Sequence, residues 1–159
     1  PDAALTRAQV AAILTRALLP GQTAAAGGSG FADVPAGHWA SGAVALAKQA
    51  GIVDGVGANA FKPDVPVTRA EMAAMLARAL KLDGSPASPA SFFDVGADGW
   101  AYPYIQALNE QGVLQGYEPG LFRPDYPISR AQTAALMERL ASKIAEKTTA
   151  ASLKYQFVE

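Results

Sequence analysis

The chain has 159 residues, half of them hydrophobic, which is enough for a single domain-sized core. A net charge of −1, without a basic run or an acidic block, argues against nucleic acid and against electrostatic attachment to a membrane surface. The apolar runs fall far short of the roughly 20 residues a membrane span needs. The absence of cysteine excludes disulfides, zinc thiolates and cysteine nucleophiles.

The first helix is predicted over Arg7 to Leu18, with Val10, Ile13, Leu14 and Leu18 on one face, and Leu19-Pro20-Gly21 ends it. Residues 22–30, Gln22 and Thr23 followed by Ala, Gly and Ser, have no apolar pattern and read as a loop. A unit then opens with Phe31-Ala32-Asp33-Val34, turns through Pro35 to His38, and continues as a helix from about Trp39 to Ala50 stopped by Gly51. Gly55 and Gly57 tighten the next loop, and Phe61-Lys62-Pro63-Asp64 leads to a helix from Arg69 to about Lys81. Its apolar face carries Met72, Met75, Leu76 and Leu80. A linker follows over Gly84 to Pro89. The last helix is predicted from Arg130 to about Lys147, and the alternation of Leu153, Tyr155 and Phe157 suits a short strand leading onward.

The unit beginning at Phe31 returns at Phe92 without a gap, with 17 identities over the 50 residues compared. One phrase within it occurs three times, as Leu5-Thr6-Arg7-Ala8-Gln9, Val67-Thr68-Arg69-Ala70-Glu71 and Ile128-Ser129-Arg130-Ala131-Gln132. Each phrase reads as a helix start. The hydroxyl accepts from the third helical N–H, and the Glu or Gln reaches back to the cap's own N–H. The arginine is not explained by capping, because the positive end of the helix dipole opposes it. Arg7, Arg69 and Arg130 are therefore expected to meet a negative partner, either an internal carboxylate or an external anion. A helix N-terminus with free N–H groups, beside a guanidinium fork, makes an anion pocket.

F-x-D-V, then W-A, a helix ending in glycine, F-x-P, and finally the phrase is a pattern similar to the S-layer homology (SLH) repeat. The resemblance covers Phe31 to Leu80 and Phe92 to Ala141, and residues 1 to about 18 as the second half of a further repeat. It implies an all-α fold of tandem repeats forming a pseudo-threefold, three-pronged spindle around a central helical bundle. The expected divisions are 1–20, 31–83 and 92–147 for the repeats, with 148–159 as a tail. The implied function is a non-catalytic module of the bacterial cell surface, extracellular and without membrane insertion. It would bind a secondary cell-wall polymer carrying pyruvylated N-acetylmannosamine, an anionic polysaccharide, in grooves between repeats.

On that resemblance Arg7, Arg69 and Arg130 would meet the ketal carboxylate, while Trp39 and Trp100 of the following repeat would line the groove. Their spacings, 32 residues from Arg7 to Trp39 and 31 from Arg69 to Trp100, suggest that each arginine pairs with the next tryptophan. Gly37 and Gly99 would let a sugar approach the indoles. Asp33 and Asp94 are candidates for the groove too, with turn capping or an arginine partnership as the other reading, and the tryptophans could equally be core anchors. The alternative function is a purely structural assembly or spacer module of a surface layer, with self-assembly as its partner interaction.

No metal, cofactor or catalytic residue is expected. The single histidine, His38, has Gly99 at its counterpart, and Glu71 becomes Gln9 and Gln132, a change a capping box accepts and a general acid does not. The start at Pro1 suggests a piece of a longer chain. The face of Val10, Ile13 and Leu14 is accordingly expected to need a partner from upstream or from another chain.

Overall fold

The computed structural model describes residues 2–57, 59–82 and 91–156, with side chains through residue 146. It contains α1 (Arg7–Leu18), α2 (Ser41–Gln49), α3 (Arg69–Ala79), α4 (Tyr102–Glu110) and α5 (Arg130–Gln156), and no sheet among the described residues.

All three phrases form capping boxes. Thr6, Thr68 and Ser129 accept from the third helical N–H, and Gln9, Glu71 and Gln132 return the bond to the cap N–H. The helices α2 and α4 have no side-chain cap and begin at Ser41 and Tyr102, which leaves the tryptophans in the preceding turn. They stop where expected. Gly51 and Gly112 take left-handed φ values of 72° and 70°, and the N–H beyond Gly51 reaches back to Ala47 O at 2.8 Å.

The residues just ahead of the caps meet in a closed ring. Leu5 N donates to Ile128 O (3.0 Å), Ile128 N to Val67 O (2.9 Å), and Val67 N to Leu5 O (2.9 Å). Their side chains are buried, so three short extended segments plug the centre with apolar surface while satisfying one another's backbone. Around this centre α1 packs on α2, and α3 packs on α4. Phe31 lies against Phe61, and Phe92 against Phe122, each at a centroid distance of 5.4 Å. Gly55 and Gly116 permit this: a Cβ at Gly55 would stand 2.8 Å from the Phe31 ring, and one at Gly116 would stand 2.9 Å from the Phe92 ring.

Two expectations are corrected. The face of α1 is not bare at Val10 and Leu14, which are fully buried where α2 packs, while Ile13 is half-buried and lines the cavity at Arg130. The short strand expected over Ser152 to Glu159 is also not found, since α5 continues through Gln156. No Gly or Pro interrupts residues 130–156, so nothing stops propagation. The linker expected over Gly84 to Pro89 lies outside the described residues, as do residues 157–159.

Candidate functional site

Each phrase arginine stands at the start of its helix beside a cavity, and the three cavities share one plan. One face of the neighbouring helix forms a wall through four positions spaced i, i+3, i+4 and i+7. For Arg7 these are Glu71, Ala74, Met75 and Arg78 of α3, and for Arg69 they are Gln132, Ala135, Leu136 and Arg139 of α5. For Arg130 they are Gln9, Ala12, Ile13 and Arg16 of α1.

Arg7 and Arg69 are buried, at 6% and 8% exposure. Arg7 Nε donates to Phe61 O (2.8 Å) and Nη2 to Asp54 O (3.1 Å), with the guanidinium 4.8 Å from the Phe61 ring centroid. Arg69 repeats this with Phe122 O (2.7 Å), Gln115 O (3.2 Å) and the Phe122 ring (4.5 Å). Burial pulls both guanidinium groups below the ordinary arginine value, and nearby Glu71 and Asp33 oppose this at Arg7. The negative partners of these two arginines are thus carbonyl oxygens in the first instance. Of the two, among the described residues, Arg7 alone also forms an ion pair, with Nη1 3.7 Å from Glu71 Oε1. Arg130 differs: it is exposed, and no described loop supplies carbonyls to it. Its cavity opens to about 630 Å³, against about 190 Å³ at Arg7 and 200 Å³ at Arg69.

The starts of α1 and α3 do not offer free N–H groups to an anion, contrary to expectation. Arg7 N donates to Val65 O and Ala8 N to Pro63 O; Arg69 N and Ala70 N donate to Tyr126 O and Pro124 O. The third N–H is taken by the cap hydroxyl, so any anion selectivity must come from side chains.

Asp33 and Asp94 also prove to be committed. Asp33 accepts from Phe61 N (2.8 Å) and Lys62 N (2.7 Å), and Asp94 accepts from Phe122 N (2.8 Å) and Arg123 N (2.6 Å). Each carboxylate clamps a turn whose second residue has a positive φ, 58° at Lys62 and 59° at Arg123. The N–H of Phe61 holds the Asp33 carboxyl below the usual carboxylate range. These bonds support the turn-capping reading.

Trp39 and Trp100 are 66% and 61% exposed, which rules out the core-anchor reading. They are not paired with the arginines in the order their spacing suggests. Trp100 lines the cavity of Arg7, Trp39 that of Arg130, and neither lines that of Arg69. The cause is the closed ring: the loop and helix facing an arginine come from the next repeat, and the tryptophan comes from the one after. A Cβ at Gly37 would meet nothing within 4 Å, while one at Gly99 would lie 3.0 Å from Gly96 O.

The second arginine of each groove went unnoticed in the sequence. Arg16, Arg78 and Arg139 each follow a phrase arginine by nine residues, half a turn out of phase, so one helix serves two grooves with opposite faces.

The family model of the S-layer homology domain matches residues 30–73 and 91–134. The chain is 35% identical over 130 residues to an S-layer protein of Bacillus thuringiensis subsp. finitimus, which is 80% of this chain and 16% of that protein. It is 30% identical over 145 residues to a cellulosome-anchoring protein of Acetivibrio thermocellus, 87% of this chain and 32% of that protein. A cell surface glycoprotein 1 of the same organism matches at 31% over 150 residues, 87% of this chain and 6% of that protein. The chain thus spans a third or less of the length of these relatives.

Proposed function

From the membership of this chain in the S-layer homology domain family, we propose that it is a non-catalytic anchoring module holding a surface protein on the bacterial envelope. Relatives named as S-layer, cell-surface and cellulosome-anchoring proteins support an extracellular, cell-surface location. Among the described residues no helix is long and apolar enough to cross a membrane. The proposed ligand is an anionic cell-wall polysaccharide, a secondary polymer of the pyruvylated N-acetylmannosamine type, held in the grooves between repeats. The proposed architecture is the three-pronged spindle, with repeats over 1–20, 31–83 and 92–147 and residues 148–159 leading on. The ring of Leu5, Val67 and Ile128 supports a threefold plan.

One observation carries the binding reading. Trp100, 61% exposed, shares a cavity with the buried guanidinium of Arg7. A large indole left in water beside a held cation costs apolar exposure that a purely structural spacer has no use for. The spacer reading draws on the carbonyl bonds of Arg7 and Arg69, which fold the chain whether or not a ligand comes. Sedimentation with purified cell walls separates the two. An anchor co-sediments and loses binding when the pyruvate ketals are hydrolysed from the walls, while a spacer stays in the supernatant with either preparation.

A further inference from the structure

The Arg7 and Arg69 grooves are built from equivalent positions and are nearly equal in size, yet they differ in charge. At Arg7 the helix wall presents Glu71, and the loop presents Asp54, which pairs with Arg78 at 3.2 Å. Two arginines there meet two carboxylates. At Arg69 the same positions are Gln132 and Gln115, so Arg69 and Arg139 line the cavity and no carboxylate does. Asp33 and Asp94 lie near both arginines alike, tied to backbone N–H groups, and do not distinguish the grooves.

Three details make the Arg69 groove receptive. Arg139 has no ion pair among the described residues. Among the described residues Arg69 Nη1 has no acceptor and no buried side-chain nitrogen or oxygen lacks a partner, so that nitrogen opens to the cavity. The third concerns Tyr117, which stands where the sister repeat has Val56. It is 46% exposed, with its ring 5.8 Å from the Arg69 guanidinium and steadied by Arg123 at 4.3 Å. The groove without a tryptophan has an aromatic face of its own.

We infer that the Arg69 groove is the acid-selective subsite of this chain, taking the carboxylate of an acidic sugar between Arg69 and Arg139 with the sugar face on Tyr117. The Arg7 groove, neutralised by Glu71 and Asp54, discriminates against that carboxylate and is left to an uncharged sugar of the same polymer on Trp100. The assignment rests on the reading that the grooves bind an acidic wall saccharide. Two cations without counter-charge in a concave site focus potential on an anion, and a carboxylate already in place repels it. The Arg130 groove is also free of carboxylates, but its arginine is exposed and no described residue holds the guanidinium through a carbonyl.

The test is calorimetric titration of the chain with the methyl glycoside of pyruvylated N-acetylmannosamine, alongside the wall sedimentation. The wild type should bind a single equivalent. Gln132→Glu, which keeps the capping box as Glu71 does, and Arg139→Ala should each weaken it roughly tenfold or more. Tyr117→Val should weaken it as well, and Asp64→Asn, at an exposed turn residue that lines none of the three grooves, should leave it unchanged. Joint replacement Glu71→Gln with Asp54→Gln should add a second equivalent. The assignment is overturned if Gln132→Glu and Arg139→Ala bind as the wild type does, or if Arg130→Ala abolishes binding. A wild type that sediments with walls but ignores the ketal sugar overturns the acidic-saccharide reading itself, and this assignment with it.

Discussion

Glu71 Oε1 lies 3.7 Å from Arg7 Nη1 while its Oε2 accepts from Thr68 N at 2.9 Å, so one side chain caps its own helix and faces the arginine of the preceding repeat. Gln132 keeps the first role with Ser129 N at 3.1 Å and drops the charge that would serve the second. Helix initiation and groove electrostatics therefore vary independently at this position. At that separation and partial exposure the ion pair contributes well under about 1 kcal/mol, so exchanging Glu for Gln changes the groove's field far more than the fold.

The arginines divide into two classes by burial. Arg69→Ala removes two charge-assisted bonds and leaves the Phe122 and Gln115 carbonyls short of a donor, and should cost about 2–3 kcal/mol in urea unfolding. Arg130→Ala, at an exposed position, should change stability by less than about 0.5 kcal/mol. Equal losses from the two substitutions would contradict this division.

Gly55→Ala and Gly116→Ala should each destabilise by about 1–3 kcal/mol, because the added Cβ meets a phenylalanine ring and a backbone carbonyl that cannot both retreat. Gly37→Ala, with open space around it, is the matched control and should be close to neutral in the same thermal melts.

The starts of α1, α3 and α5 were legible because a capping box is local chemistry written within four residues, and so were the glycine stops after α2 and α4; the uncapped starts of α2 and α4 left no such mark. The grooves were only half legible. A near-constant arginine-to-tryptophan spacing is compatible with a neighbour in either direction, and only closure of the ring through Leu5, Val67 and Ile128 selects Trp100 for Arg7. Arg16, Arg78 and Arg139 recur at one interval and were open to detection, but they lie on the helix face opposite the phrase arginine and belong to a different groove. Burial of Arg7 and Arg69 could not be read from sequence, since their acceptors are backbone carbonyls whose identity leaves no mark on the residues that carry them.

Acid should weaken the fold through Asp33. Its folded pKa is depressed by the N–H groups of Phe61 and Lys62, so its stabilisation is fully present above the unfolded value near about 3.9 and is lost as pH falls through the lower folded value. Melting temperature should decline below about pH 4 in the wild type. Asp33→Asn should melt a few degrees lower at neutral pH and show a shallower acid decline. An unchanged acid decline in the variant would place the effect on other carboxylates.

Arg7 and Trp100 share one cavity although 93 positions separate them in the sequence, whereas Arg7 and Trp39 do not share one. If a wall saccharide occupies that cavity, the cation and the indole contact one ligand, and removing either alters what the other can hold. Arg7→Lys keeps the charge but loses the planar fork, and it is gentler on the fold than Arg7→Ala. Combined with Trp100→Ala it should show a coupling of about 0.5 kcal/mol or more in wall-polymer affinity. The Arg7→Lys and Trp39→Ala cycle should be additive within about 0.3–0.5 kcal/mol, because those residues lie in different grooves. Coupling to Trp39 instead of Trp100, measured in the same polymer titration, would restore the order suggested by sequence spacing and contradict the groove assignment made from the ring.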